Sequence, residues 1–177
     1  MKIDYITIGP LQSNCYLLEK NNEYLLIDPG EDYNQIKKFI KNKNIIGILI
    51  THNHYDHTAS ANKIVKDYHI KKYSINNLKE GQNKIGSFNF KIIYTKGHTM
   101  DSITYYFYED KVMFTGDFLF KGTIGRYDFP ESNVEEMIKS IKKIKQYNSN
   151  ITIYPGHGEK TTLENELKNN PYLRLQI

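Results

Sequence analysis

The stretch Ile45–His57, IIGILITHNHYDH, decides how the rest of this 177-residue chain is read. Its first half, Ile45–Ile50, is a short and nearly continuous apolar run, the pattern of a strand buried on both faces. Its second half gathers His52, His54, Asp56 and His57 within six residues. In an extended segment residues 52 and 54 point the same way. Asp56 and His57, where the loop turns into a helix, can aim at a second point nearby. One loop thus offers donors for two metal ions. Imidazole with carboxylate suits zinc, iron or manganese rather than calcium or magnesium. No thiolate is among the candidates, so an open hydrolytic site is expected rather than a closed structural one.

Working outward, three further strand-like runs end the same way. Phe90–Tyr94 leads to Gly97-His98, Lys111–Thr115 to Gly116-Asp117, and Ile151–Tyr154 to Pro155-Gly156-His157. Four strands therefore each present an imidazole or a carboxylate just past the C-terminal end, the edge at which open α/β sheets bind ligands. Glycine precedes the polar residue in three of the four, where the backbone must turn sharply and approach a site closely. Five of the six histidines belong to this set, and only His69 reads as a surface residue. Convergent His and Asp residues of this kind mark a metal site.

The remaining pattern supports an α/β chain. Strands are expected at Lys2–Ile8, Asn14–Leu18, Tyr24–Asp28, Lys71–Ile75, Phe88–Tyr94 and Ile103–Tyr108. Helices are expected after Asp32, around Ile64, Val65 and Tyr68, and behind two capping boxes, Ser132 with Glu135 and Thr161 with Glu164. That order argues for sheets covered by helices. Hydrophobic residues at 39% and charged residues at 25% exclude a disordered or fibrous chain. No apolar run approaches the roughly 18 residues of a membrane span, and the N-terminus shows no signal-like apolar core. The cytoplasm is the expected compartment. The single cysteine, Cys15, excludes a disulfide framework and reads as a buried, unreactive thiol. The net charge of +4 rests on lysines spread over helix surfaces, with Arg126 and Arg174 the only arginines. That distribution speaks against a nucleic-acid partner.

Thr51–His57, Gly97-His98-Thr99, Thr115-Gly116-Asp117 and Gly156-His157-Gly158, in this order, resemble the motifs of the metallo-β-lactamase-fold hydrolases. Ile27-Asp28-Pro29-Gly30 matches a turn of the same family. Gly116–Phe120 followed by Gly125–Pro130 is most similar to the small glyoxalase II-like branch. The resemblance implies an αββα four-layer sandwich of two mixed sheets flanked by helices. It implies that His52, His54 and His98 hold a first metal, that Asp56, His57 and His157 hold a second, and that Asp117 bridges them. The cofactors are then two divalent ions per chain, zinc first, with iron or manganese as alternatives. Residues 1–177 read as one domain of this fold, without the C-terminal helical domain of full-length glyoxalase II. Much of the glutathione-binding surface is therefore expected to be missing.

The expected reaction is hydrolysis of a small acyl thioester, of the 2-hydroxyacyl-glutathione kind, by a hydroxide bridging the two ions. Paired cations lower the pKa of shared water from 15.7 towards about 7. Asp56 and Asp117 are the candidate catalytic carboxylates. Arg126 and Tyr127 are the candidate substrate-binding residues, since the resemblance places a basic, substrate-contacting residue near Arg126; a loop-stabilising pair of Arg126 with Asp128 is the alternative. Asp28 is read as bracing a neighbour or shaping the Pro29-Gly30 turn rather than as a ligand. The rival functions are a mononuclear-iron persulfide dioxygenase and an RNA-processing nuclease of the same fold.

Overall fold

The computed structural model describes residues 1–175. The chain opens with β1 (Lys2–Ile8), β2 (Ser13–Lys20), β3 (Glu23–Ile27), α1 (Tyr33–Phe39) and β4 (Ile45–Leu49), followed by α2 (Tyr55–Thr58), α3 (Ala61–Tyr68) and β5 (Lys71–Tyr73). It continues through β6 (Gly81–Ile85), β7 (Phe88–Tyr94), β8 (Ile103–Phe107), β9 (Val112–Gly116), β10 (Leu119–Phe120) and β11 (Thr123–Ile124). Then come α4 (Val134–Ile144), β12 (Thr152–Pro155), β13 (Thr161–Thr162), α5 (Leu163–Asn169) and α6 (Pro171–Arg174).

Two mixed sheets result. The first has the order β1-β2-β3-β4-β5, antiparallel up to β3 and parallel from β3 to β5. The second has the order β13-β12-β9-β8-β7-β6, with only the β12–β9 pair parallel. Because side chains alternate along a strand, each sheet buries both faces. Tyr16, Leu18, Leu25, Ile27 and Leu49 of the first sheet pack against Phe88, Phe90, Tyr105, Phe107 and Phe114 of the second. The alternate residues Cys15, Leu17, Leu26 and Ile48 face Ile36 and Ile40 of the α1 region and Ala61 and Ile64 of α3. Ile93, Met113 and Ile153 face Met137, Ile141 and Ile144 of α4, Leu163 of α5 and Leu173 of α6. The layers are helix, sheet, sheet, helix, as expected. Burying each such Leu, Ile or Phe side chain contributes roughly 1.5–3 kcal/mol.

Two helix starts differ from expectation by one residue. Asn133, not Ser132, caps α4 by accepting from Glu136 N. Ser132 instead donates its hydroxyl to His98 O at 2.6 Å. Thr162, not Thr161, caps α5 by accepting from Asn165 N, while Thr161 sits in β13 and donates to the buried Glu166. In each case another acceptor, the distant His98 carbonyl or the nearby Glu166 carboxylate, claims the hydroxyl that the sequence pattern assigns to the cap. Asp32 caps α1 through Gln35 N, as its sequence predicts. No helix among the described residues is long and apolar enough to cross a membrane.

Candidate metal centre

The centre forms at the edge where the two sheets open. His52, His54, Asp56 and His57 follow β4 of the first sheet. His98 follows β7, Asp117 follows β9 and His157 follows β12, all in the second sheet. Backbone bonds stitch the seam: Ile103 N donates to Thr51 O at 2.9 Å and Asn14 N to Gly156 O at 2.7 Å. The Asn14 amide adds bonds to Pro155 O at 3.1 Å and Gly158 O at 2.9 Å. Ser13 Oγ holds the α2 turn by donating to Asp56 O at 2.7 Å. Two glycines are dictated by this crowding. Gly116 has φ of 51°, with the Thr51 side chain where a Cβ would stand. A Cβ on Gly156 would overlap Asp117 Oδ1 and lie 2.8 Å from His57 Cε1.

The seven side chains expected from the sequence come together in two groups. Donor atoms of His52, His54, His98 and Asp117 lie within 4.8 Å of one another, as do those of Asp56, His57 and His157. Asp117 also reaches the second group, with Oδ1 3.3 Å from His57 Nε2 and Oδ2 3.5 Å from His157 Nε2.

The five imidazoles share one arrangement: one ring nitrogen donates outward and the other faces inward. His52 Nδ1 donates to Thr51 Oγ1 at 3.0 Å, and Thr51 in turn donates to Asp28 Oδ2 at 2.6 Å. His57 Nδ1 donates to Asp28 Oδ2 at 3.1 Å. His98 Nδ1 donates to Arg126 O at 2.8 Å and His157 Nδ1 to Leu11 O at 3.0 Å. His54 is turned the other way, and its Nε2 donates to Glu131 Oε1 at 3.2 Å. A neutral imidazole carries one N–H, so these partners fix the tautomers and leave lone pairs inside. The inward nitrogens then crowd one another. His54 Nδ1 lies 3.2 Å from His52 Nε2 and 3.0 Å from His98 Nε2, and His57 Nε2 lies 3.2 Å from His157 Nε2. Asp117 Oδ1 is buried with no hydrogen-bond partner among the described residues. Inward nitrogens this close together beside a buried carboxylate oxygen need positive charge among them, protons or metal ions, and three-plus-three donors around a shared carboxylate fit a pair of divalent ions.

The two groups differ electrically. Burial holds His52 well below the usual histidine range, with the neighbouring His57 adding to the effect. Burial likewise lowers His98. In the second group burial also opposes charge, but the carboxylates outweigh it. Asp117 and Asp56 raise His157 to about 9, and Asp117, Asp28 and Asp56 raise His57 well above its ordinary value. Asp117 is lowered against its burial by His157 and His57.

Of the candidate substrate residues, Arg126 meets this centre through its backbone carbonyl. The Arg126 guanidinium forks onto Asp128, at 2.9 and 3.0 Å, and sits 4.1 Å from the Phe129 ring centroid. The pairing weighed as the alternative is therefore present, and the guanidinium is engaged with its own loop. Arg126, Tyr127 and Tyr172 line a cavity of about 370 Å³. The sequence pattern assigns no role at the site to Ser13, Asn14, Thr51 or Glu131. The polar Ser13-Asn14 at the start of an apolar strand is the one signal that points inward; Glu131 carries none. Cys15 is fully buried, and burial, then the nearby Asp28 charge, raises its thiol pKa well above the usual value. His69 is exposed, as expected, at the C-terminal end of α3.

A family model described as the metallo-beta-lactamase superfamily matches residues 8–80 and 77–157. Among curated proteins, the chain is 32% identical to hydroxyacylglutathione hydrolase GloC of Haemophilus influenzae, over 98% of each chain. Among solved structures it is similar to the BLEG-1 B3 metallo-beta-lactamase, with a TM-score of 0.91 and 28% identity over 97% of this chain and 99% of that one. It is also similar to TTHA1623 in a di-iron-bound form, with a TM-score of 0.88 and 28% identity over 96% and 100%.

Proposed function

The chain belongs to the metallo-beta-lactamase superfamily, and from that premise we propose that it is a dinuclear hydrolase of a small acyl thioester, of the 2-hydroxyacyl-glutathione kind. The carrying observation is the convergence of five inward-facing imidazole nitrogens with Asp56 and Asp117 in two adjoining groups. His52, His54 and His98 would hold one ion, Asp56, His57 and His157 the other, and Asp117 would reach both. When bound, such a pair of divalent ions supplies Lewis acidity and hydroxide at neutral pH. Zinc is the first candidate, and the di-iron form of TTHA1623 supports iron as the second.

The chain's own groups prepare the rest. Asp56 and Asp117 bring negative charge that offsets the cations and accept hydrogen bonds from an attacking water, fixing its direction. Asp56 Oδ2 stands 3.2 Å from both His57 Nε2 and His157 Nε2, so the carboxylate is held from two sides. Arg126, whose carbonyl accepts from His98 Nδ1, and Tyr127 line a cavity that would receive the substrate's carrier end. A substrate carboxylate there must take the Arg126 fork from Asp128, which makes recognition of an anionic carrier an exchange of partners rather than a new ion pair. GloC, similar along its whole length, supports the thioester reading.

Metal content and stoichiometry of the purified protein, measured beside assays with S-lactoylglutathione, glutathione persulfide, a β-lactam and RNA, test this. Two ions per chain with thioester cleavage is the expected result. A single iron with oxygen uptake on the persulfide, β-lactam opening alone, or RNA cleavage alone overturns it.

A further inference from the structure

Four of the five imidazoles in the centre donate their outward N–H to Thr51 Oγ1, to buried Asp28, or to the backbone carbonyls of Arg126 and Leu11. His54 differs. Its outward nitrogen meets the carboxylate of Glu131, an exposed residue on the segment between β11 and α4. We propose that Glu131 is a positioning residue for the first cluster: it holds His54 in the Nε2–H tautomer and turns the Nδ1 lone pair toward His52 and His98. This rests on reading that cluster as a metal site.

Tautomer choice matters more at His54 than elsewhere. Its Nδ1 is the atom that approaches both His52 Nε2 and His98 Nε2, at 3.2 and 3.0 Å. A proton on Nδ1 would point into the cluster and leave only two imidazole lone pairs there. An acceptor on Nε2 favours the productive form, because the ring has one N–H and the carboxylate claims it.

The backbone that carries Glu131 is anchored beside the cluster. The next residue, Ser132, donates its hydroxyl to the carbonyl of His98 at 2.6 Å, and Asn133 N donates to Gly97 O at 2.9 Å. Ser132 N closes the turn by donating to Phe129 O at 3.0 Å. The Phe129 ring packs edge-on against His54 and His98, with centroids 5.9 and 5.8 Å apart. Residues 126–131 therefore supply the outward acceptors of two first-cluster histidines, Arg126 O for His98 and Glu131 for His54, from one anchored segment. An ordinary exposed His–Glu contact contributes little and would leave metal binding untouched.

The test uses the full chain as parent, Glu131→Ala and Glu131→Gln. Zinc is titrated against a chromophoric chelator, and cobalt binding is read from visible absorption. His98→Ala, which removes a donor from the first cluster alone, identifies the signals of that cluster. Glu131→Ala is expected to weaken the first-cluster ion about 10- to 100-fold and leave the second unchanged. Glu131→Gln, whose amide oxygen accepts the same N–H, is expected within about threefold of the parent. Equal binding of both ions by Glu131→Ala overturns the proposal. So does loss of both ions together with a lower melting temperature of the metal-free protein, or a Glu131→Gln protein as impaired as Glu131→Ala. Failure of the parent to bind two ions instead overturns the dinuclear reading, and it shows before any variant is made.

Discussion

His54 and His57 lie three residues apart and serve neighbouring clusters, yet they are braced in opposite ways. Behind His57 stands Asp28, 2% exposed, which also accepts from Thr51 N at 2.8 Å and Thr51 Oγ1 at 2.6 Å. Behind His54 stands Glu131, with its side chain 52% exposed and no other side chain among the described residues bonded to it. The first brace belongs to the fold as well as the site, since three donors lose their acceptor if it goes. The second belongs to the site alone. A carboxylate can thus fix an imidazole from inside the core or from the surface, but only the inner one also carries stability.

Four substitutions break or sharpen this contrast, in order of expected effect on metal binding. Asp117→Ala removes the group that reaches both clusters. Ion occupancy and hydrolysis should fall together by more than about 100-fold, beyond what loss of an outer partner costs; elemental analysis and a thioester assay measure both. Two tightly held ions in that protein would remove Asp117 from the bridging role.

Gly156→Ala places a methyl group against Asp117 Oδ1 and His57 Cε1. It should disturb the second cluster through His57 and both clusters through Asp117, while leaving the Glu131–His54 contact intact. Cobalt spectra should change for both ions, more strongly for the second.

Asp28→Asn keeps the left-handed backbone at that position, φ 49°, which asparagine tolerates. It replaces the acceptor of His57 by an amide. Second-cluster affinity should drop about 10-fold or more, with about 1–3 kcal/mol lost from the metal-free protein in a denaturant titration. An unchanged denaturation midpoint would contradict the dual role of the inner brace.

Glu166 separates burial from metal support. It is a fully buried carboxylate away from the centre, accepting from Thr161, Asn165, Asn170 and Gly122 N. Burial pushes its pKa up, but these bonds together outweigh that and lower it. A lowered folded value means the stabilisation is present above the unfolded value of about 4.3 and is lost as pH falls through the folded one. Glu166→Gln should flatten that acid limb of the melting temperature against pH and leave ion binding as in the parent. A change in ion binding would mean that any buried carboxylate affects the clusters through the fold.

Much of this site is legible in the chain because its chemistry is local. The motif at residues 51–57 and the Gly-His and Gly-Asp pairs sit at strand ends that apolar runs such as Ile45–Ile50 announce. The layers are legible too, since Tyr16 and Leu18 alternate with Cys15 and Leu17 across the first sheet. What escapes is long-range. Leu11 meets His157 through a backbone carbonyl, which any residue carries. Glu131 meets His54 across 77 residues of sequence. Ser132 satisfies every local rule for a cap and is drawn away by His98 O. The short strands β10, β11 and β13 have two residues each, too few for a period to show.

His52, His54, Asp56 and His57 hang from one sheet, while His98, Asp117 and His157 hang from the other. An ion gripped by either cluster is therefore a rivet through the sandwich, and the halves cannot slide apart without shedding it. Heat resistance should then track free metal, gaining about 1.4 kcal/mol for each tenfold rise above the dissociation constant. A cell starved of the ion would lose the enzyme's durability along with its turnover.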